Sequence, residues 1–299
     1  MKTRHGLADW GLLLALMVLW GSAFLLTKVA VDTIPSQLLV AGRLAIAALL
    51  LVPSALMAGR GVPSGRRLWL FLVLIALFGN ALPFSLITWG QRSVDSGLAG
   101  ILMAITPLVT LILSHFLVPG ERLDRFRVGG FVLGFAGIVV LMGRDALVSL
   151  VNGDGYLLPM LAILAGAACY AVAAILARLR PSSDVLSTAA LTTLIAALML
   201  SPFVVGTGAT GLDEPPPAEA LAAVAALGIF STALAAILYF RLVKSAGPPF
   251  VSQLNYLIPV WAVVMGAVFL GEQPELRHYL ALSLILGGVL LAQLGRWLR

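Results

Sequence analysis

The sequence predicts an all-α integral membrane protein in which ten transmembrane helices form two inverted five-helix repeats around a central cavity. Three observations support this prediction: the composition, ten long apolar runs and an internal repeat. Of the 299 residues, 61% are hydrophobic and only 11% are charged, whereas about a quarter of the residues in a typical soluble domain are charged. Because one soluble core could not bury so much apolar surface, we expect a lipid bilayer around the chain.

Ten apolar runs lie between charged or Pro/Gly-rich breaks, and each is close to the roughly 20 residues that a membrane-spanning helix needs. These predicted spans take up most of the chain and leave no room for a soluble domain. Their extents are 8–29, 36–57, 68–89, 97–118, 127–143, 156–178, 185–205, 219–242, 249–271 and 277–296.

Basic residues near the span ends predict the orientation, because short cytoplasmic loops retain Lys and Arg during insertion. Lys28, Arg92, Arg144 and Arg277 fall on one side of the membrane. The other side holds many more, namely Lys2, Arg4, Arg60, Arg66, Arg67, Arg122, Arg125, Arg127, Arg178, Arg180, Arg241, Lys244, Arg296 and Arg299. We therefore expect both termini in the cytoplasm. Membrane topology accounts for the net charge of +6, so no nucleic-acid partner is expected.

An internal repeat is visible where “ITPLVTLILSHFLVPGE” at 105–121 resembles “LIPVWAVVMGAVFLGE” at 257–272. Similarities at nearly constant spacing on both sides divide the chain into halves, 1–147 and 148–299. Each half holds five spans, an odd number, so the second half must enter the membrane in the opposite sense. Such inverted repeats are characteristic of transporters, in which two similar halves open a shared cavity to one side at a time. The aligned pairs include Pro107 with Pro259, Glu121 with Glu272, Trp20 with Tyr170 and Lys28 with Arg178.

Polar groups and helix-breaking prolines are tolerated at membrane depth chiefly where they face protein or water. Pro107 and Pro259 are each expected to kink their helix and to free one carbonyl for a substrate, or alternatively to shape packing only. Polar side chains at this depth can hydrogen-bond a zwitterion, or can join neighbouring helices. The residues expected to bind substrate are Trp20, Arg43, Asn80, Phe84, Met103, Thr106, Pro107, Tyr170, Thr232, Tyr239, Asn255 and Pro259.

Arg43 is the most informative charge, because it falls inside the second predicted span. An arginine near the centre of a membrane helix costs about 2.5–3.5 kcal/mol on insertion scales. One hypothesis is that Arg43 attracts a substrate carboxylate. The other hypothesis is that its side chain snorkels to the interface, and a helix rise of only about 10 Å from the span's start favours it.

The chain also resembles the drug/metabolite transporter superfamily, specifically its EamA-like members, which have ten spans in two five-helix halves. The resemblance rests on “VLWGSAF” at 18–24, “AGRLAIAALLLVP” at 41–53 and the paired “TPLVTLILSHFLVPGE” and “IPVWAVVMGAVFLGE” segments. It implies a bacterial inner-membrane secondary carrier that exports amino acids, aromatic or otherwise hydrophobic, or similar small metabolites. Within the superfamily the chain is similar to the exporters of aromatic amino acids.

A channel-like facilitator and an exporter of drugs or metabolites other than amino acids stay open as alternatives. An enzyme is not expected, because H-E-x-x-H, G-x-S-x-G and G-x-x-x-x-G-K-[ST] do not occur. We likewise expect no catalytic residues, metal or cofactor. Since no carboxylate lies deep in a predicted span, we expect transport to be driven mainly by the substrate gradient, or to be coupled weakly through residues that the sequence does not identify. Glycines at 129–140, with Gly287 and Gly288, permit close helix packing within a monomer or between subunits of a homodimer.

Overall fold

The part of the chain that the structure describes forms ten apolar spans. A computed structural model of the chain describes residues 6–61, 63–119, 124–152, 156–206 and 215–297, which are helical or in loops and turns, without a strand. Among these residues, nine helices are long and apolar enough to cross a membrane, and the ninth span is a shorter apolar helix of 16 residues. The first to tenth spans are Leu7–Val31, Ser36–Met57, Arg66–Gly90, Ser96–Leu117, Arg125–Asn152, Leu157–Leu179, Val185–Gly206, Ala218–Gly247, Leu254–Phe269 and Leu276–Trp297.

The prediction of ten spans is confirmed, and most predicted ends lie within a few residues of the observed ones. The fifth span differs most, because its helix continues to Asn152 and does not end at 143. The ninth span begins at Leu254 and not at 249. The helix of the eighth span continues to Val251 across a kink at Gly247, whose φ of 79° is a left-handed value that favours glycine. Residues 249–251, which the sequence predicts as the start of the ninth span, therefore belong to the helix of the eighth.

The third and eighth spans each contain π-helical turns, at Leu77–Ala81 and at Leu227–Leu234. Such turns are often found at functional sites in helices. The fourth span is interrupted by a turn at Ala104–Ile105 and resumes as a helix at Thr106. The two π-helical turns lie at corresponding places in the two halves, and the turn in the fourth span lies beside Pro107, the proline that the repeat aligns with Pro259.

Helix packing follows an exchange of the two halves. The first span packs on the ninth and the sixth packs on the fourth, while the third packs on the sixth and the eighth on the first. The second pairs with the seventh and the fifth with the tenth. When each of spans one to five is exchanged with its counterpart among spans six to ten, the contact between the first and ninth spans turns into the contact between the sixth and fourth. The pair of the second and seventh spans and the pair of the fifth and tenth stay the same. With five spans in each half, this exchange relates segments of opposite direction.

The fifth and tenth spans approach closely through glycines. A Cβ placed on Gly130 or on Gly288 would collide with the backbone carbonyl of the other residue. A Cβ on Gly137 would meet Ile285 of the tenth span. These glycines therefore serve packing within one chain, and a homodimer stays a prediction, as does the division of the halves at 147/148.

The loops between the spans lie at two opposite ends of the helix bundle. The Glu272 end contains the loops around Ile34, Asp95 and Glu272, and the Arg60 end contains the loops around Arg60 and Asp184. Between them, large apolar side chains face outward, among them Leu49, Leu198 and Val268. An apolar exterior of this kind suits a multi-pass membrane protein.

Candidate functional site

Arg43 of the second span reaches across to the other half of the chain. Its Nε donates a hydrogen bond to Thr232 Oγ1 at 2.8 Å, and its guanidinium carbon lies 3.9 Å from the centre of the Phe84 ring. Only 8% of Arg43 is exposed, so the interpretation that it snorkels to the interface is wrong. The hydroxyl and the aromatic face replace part of the hydration that the interface would have supplied.

The two terminal nitrogens of the Arg43 guanidinium have no hydrogen-bond partner among the described residues. Neither nitrogen is fully enclosed by protein atoms. No described carboxylate forms an ion pair with it. A buried charge without a counter-charge is costly, and a guanidinium can bind a carboxylate through two parallel hydrogen bonds. The terminal nitrogens of Arg43 are therefore hydrogen-bond donors that no described residue uses.

Among the aromatic pairs that join the halves of the chain, two contain residues predicted to bind substrate. Trp20 of the first span packs on Tyr239 of the eighth, with ring centroids 5.4 Å apart. Phe84 of the third span packs on Tyr170 of the sixth, with centroids 6.3 Å apart and the rings T-shaped. Trp20 and Tyr170 are aligned by the repeat, so each occupies the same position in its own half and meets an aromatic ring from the other half.

The π-helical turn of the eighth span supplies polar groups to its neighbours. Thr232 Oγ1 donates to the Leu227 carbonyl at 2.8 Å while it accepts from Arg43. Trp20 Nε1 donates to the Ser231 carbonyl at 3.2 Å, and Ser231 Oγ donates to the Leu19 carbonyl at 2.8 Å. Wider helical turns shift backbone carbonyls out of the regular ladder, which lets side chains from another helix bond to them.

Asn80 occupies the matching place in the third span. The spacing that relates Pro107 to Pro259 also relates Asn80 to Thr232, and Asn80 lies in the π-helical turn of its own span. Its side chain is partly buried and makes no hydrogen bond to another described residue.

The predicted kink at Pro107 is wrong in its detail. The helix ends before the proline, and Pro107 lies in the first turn of the next helical segment, where it loses no helical hydrogen bond. The Met103 carbonyl that the proline cannot bond accepts a hydrogen bond from Thr106 Oγ1 at 2.7 Å. Thr110 Oγ1 likewise donates to the Thr106 carbonyl at 2.8 Å. The free carbonyl expected beside Pro107 is therefore occupied.

Other predicted residues contact neighbouring helices. Met103 packs against an apolar cluster built mainly from the fourth, fifth, sixth and tenth spans. Pro259 is buried inside the ninth span, beside Gly100 of the fourth. Asn255 is partly buried in the first turn of the ninth span. A role for these three residues in binding substrate stays a prediction.

Glu272 fixes the ninth span to the start of the fourth. Its carboxylate accepts hydrogen bonds from the backbone N–H groups of Ser96 at 2.7 Å and Gly97 at 2.9 Å. A negative charge is favourable at a helix N-terminus. The niche depends on glycine, because a Cβ on Gly266 would collide with the carboxylate and one on Gly97 would lie 3.1 Å from it. Glu121, the aligned partner of Glu272, lies outside the described residues.

Lys28 makes a second connection at the Glu272 end. Its Nζ donates to the carbonyls of Gln91 at 3.0 Å and Arg92 at 3.5 Å, at the C-terminus of the third span. Gln91 is fully buried, and its Nε2 donates to the Phe24 carbonyl at 2.9 Å. A cation stabilises the C-terminal end of a helix, so Lys28 holds the first and third spans together.

A cleft beside these contacts contains several ionisable groups. Asp95, Glu272 and His278 line it together with Ile101 and Val263. Burial raises the pKa of Asp95 above its usual value, and the Glu272 carboxylate raises it further, while Lys28 and His278 act in the opposite direction. None of the residues predicted to bind substrate lines this cleft.

The fourth span is shared between two packing environments. Its first segment, Ser96–Met103, packs on the ninth span, whereas Thr106–Leu117 packs on the fifth, sixth and tenth spans. The turn at Ala104–Ile105 separates the two segments. Contacts between the repeated fourth and ninth spans are therefore concentrated toward the Glu272 end.

Sequence reasoning missed Ser231, the two π-helical turns and the role of Glu272. The repeat itself held a signal for Glu272, because that residue aligns with Glu121. Nothing in the apolar stretch around Ser231 indicated a wider helical turn.

Comparison with known proteins shows the family. The model of the EamA-like transporter family matches residues 9–143 and again residues 157–294. The uncharacterized inner membrane transporter YedA of Escherichia coli (strain K12) is 29% identical over all of this chain and 94% of its own length. Protein PagO of Salmonella typhimurium is 25% identical over 93% of this chain and 90% of its own length.

A solved crystal structure has the same fold. It aligns with a TM-score of 0.68 at 24% sequence identity, and the alignment covers 97% of this chain and 98% of the other. The two family matches correspond to the two halves of the helix packing, and YedA is named as an inner membrane transporter. The chain therefore belongs to the EamA-like transporter family.

Proposed function

We propose that this transporter is a secondary carrier that exports small, carboxylate-bearing metabolites with an apolar body, with hydrophobic amino acids as the first class to test. The observation that carries the proposal is Arg43, which is buried between the repeats and has no carboxylate partner among the described residues. Because a charged side chain inside the membrane is costly, such a residue usually belongs to a functional site.

The roles of the surrounding residues follow from their chemistry. The terminal nitrogens of Arg43 bind the substrate carboxylate, and Thr232 holds the guanidinium in place through its Nε. The rings of Phe84 and Tyr170 contact the apolar body of the substrate. The Asn80 amide supplies an uncharged donor and acceptor close to the π-helical turn.

The orientation of the carrier rests on its basic residues. The Arg60 end carries most of the Lys and Arg near span ends, so it faces the cytoplasm of the bacterial cell, together with both termini. The inner membrane is the matching location, as the name of YedA states for that relative. In this orientation Glu272 and Lys28 lie on the outer side.

Alternating access then requires the outer contacts to break. The fourth and ninth spans touch toward the Glu272 end, so the described conformation is closed to the outside. Opening separates Glu272 from Ser96 and Gly97, and the turn at Ala104–Ile105 lets the first segment of the fourth span move separately. Near-symmetry of the halves makes the two closed states similar in energy.

Counterflow in proteoliposomes tests this function. Vesicles are loaded with one unlabelled compound, labelled compound is added outside, and the panel covers hydrophobic amino acids, other carboxylates and neutral drug-like molecules. A carrier gives transient, saturable accumulation of the labelled carboxylate, and empty vesicles give none. Non-saturable flux at channel rates, or exchange of neutral molecules alone, overturns the proposal.

A further inference from the structure

We infer that the site at Arg43 takes a substrate with a net negative charge, a monocarboxylate anion with an apolar or aromatic body, and that its export is electrogenic. The inference rests on the proposed function and narrows it. Most amino acids are zwitterions at neutral pH, so it separates two groups of compounds that the proposed function treats together.

The first support is the charge distribution along the spans. Three carboxylates fall within span bounds in the sequence. Asp9 and Glu219 lie in the first turns of their helices, and Asp145 follows the apolar window Arg125–Met142. The membrane-buried length therefore holds the positive charge of Arg43 without an acidic residue to compensate it.

The second support is the neutral character of the groups around Arg43. Thr232 supplies a hydroxyl and Phe84 an aromatic face, and Tyr170 packs on Phe84. The site alone carries one positive charge. A monocarboxylate brings the total to zero, whereas a zwitterion leaves it at one and places an ammonium near the guanidinium. A net charge costs more where little water is present, so the monoanion is favoured.

The charge of the substrate also supplies a driving force. Arg43 is fixed in a helix by Thr232 and Phe84, so the charge that crosses the membrane in one cycle is that of the substrate. A membrane potential that is negative inside drives an anion outward, and each 100 mV supports a gradient of about 50-fold. Export then needs no intramembrane carboxylate for proton exchange.

The experiment compares phenylpyruvate with phenylalanine, two compounds of the same carbon skeleton, of which phenylpyruvate has a ketone where phenylalanine has an ammonium. Phenethylamine, which has the ammonium without the carboxylate, is the third compound. Binding to the purified full-length protein is measured by competition, and efflux of the labelled compounds from proteoliposomes is measured with potassium gradients and valinomycin. Arg43→Lys keeps the charge, and Arg43→Gln removes it.

The expected result is binding of phenylpyruvate at least about tenfold tighter than that of phenylalanine, with no binding of phenethylamine. Efflux of phenylpyruvate should be faster at an inside-negative potential and slower at an inside-positive one. Arg43→Gln should remove the preference for the anion, while Arg43→Lys should keep part of it. Because the wild-type comparison needs no variant, it stands even where a variant does not fold.

Two results would overturn the inference, and they differ in what they imply for the proposed function. Counterflow of phenylalanine that equals or exceeds that of phenylpyruvate and does not respond to the potential rejects the inference and leaves the proposed function standing. Absence of counterflow for phenylpyruvate, phenylalanine and every other carboxylate of the panel rejects the proposed function as well.

Discussion

The Nε of Arg43 lies 2.8 Å from the Oγ1 of Thr232, which links the second span of one repeat to the eighth span of the other inside the membrane. The partner of this buried guanidinium is a neutral hydroxyl, and the ring of Phe84 covers one face. An arginine without a counter-charge is a poor choice for stability, because its desolvation is only partly offset. The proposed binding of a substrate carboxylate accounts for its presence.

Replacement of Arg43 should therefore reduce transport without reducing stability. For Arg43→Gln we expect at least a tenfold rise in KM for a carboxylate substrate, since a charge-assisted pair contributes about 1.5–3 kcal/mol. The thermal unfolding midpoint should stay the same or rise, because the buried charge is gone. Transport kinetics and unfolding in detergent measure the two effects. A clear fall in the midpoint together with unchanged KM would mean that Arg43 is structural.

The Glu272 carboxylate should hold the Glu272 end closed. Glu272→Gln weakens the hydrogen bonds from Ser96 and Gly97, and the population open at this end should rise about tenfold or more. The measurement is the rate at which a polar maleimide labels Ile101→Cys in a Cys169→Ala background, because Ile101 is 1% exposed and lines the cleft.

Glu275→Gln is the matched control for that measurement. Glu275 lies in the same loop but pairs with Arg277 and is exposed. Its replacement should leave the labelling rate of Ile101→Cys unchanged. Equal labelling in the Glu272 and Glu275 variants would remove Glu272 from the account of gating.

Titration of Asp95 should make the same end sensitive to pH. The pKa of Asp95 is raised in the closed conformation, so this conformation binds the proton more tightly and is favoured as the pH falls. As the pH rises above the ordinary value of 3.8 and through the raised pKa, Asp95 ionises beside Glu272 and the end opens more often.

Asp95→Asn should abolish that dependence. Labelling of Ile101→Cys, divided at each pH by the labelling of an exposed cysteine to correct for thiol ionisation, should rise with pH in the wild-type background and stay flat with Asn. A rise of the same size in both backgrounds would assign the pH effect to another group.

The glycine contact between the fifth and tenth spans should be needed for stability. Gly288→Ala places a methyl group against the Gly130 carbonyl and 2.8 Å from the Gly134 nitrogen. Overpacking of this kind costs about 1–3 kcal/mol. Gly287→Ala is the control, because its Cβ would lie 3.6 Å from Leu133, an ordinary contact. Thermal unfolding of the two variants checks the prediction, which fails if both midpoints equal that of the wild type.

The helical architecture could be predicted from the sequence because apolar length and an internal repeat act over many residues at once. The site could be predicted only in part. The polar or aromatic character of a residue at membrane depth predicts a place in the site, and the structure brings together four residues predicted in this way, namely Arg43, Thr232, Phe84 and Tyr170. Their pairing could not be predicted, because it depends on how the second, third, sixth and eighth spans rotate against one another.

Local patterns gave the wrong detail where tertiary contacts decide the outcome. Distance along one helix favoured snorkelling of Arg43, yet a hydroxyl from a distant helix holds the side chain inside. The proline pattern predicts a kink at Pro107. In the structure the helix is interrupted just before Pro107, and the Thr106 hydroxyl donates a hydrogen bond to the Met103 carbonyl that would have stayed free. Glu272 lies beyond the end of an apolar run, so its contact with Ser96 was outside any periodic pattern.

The central claim is that the carboxylate of the substrate binds to Arg43. The most direct measurement is a cycle that pairs a transported carboxylate and its neutral amide with the wild-type protein and Arg43→Gln, using equilibrium binding to purified protein. The account predicts that the change from acid to amide weakens binding at least about tenfold in the wild type and has almost no effect in Arg43→Gln. Equal losses in the two proteins would show that the carboxylate binds elsewhere and would contradict the account.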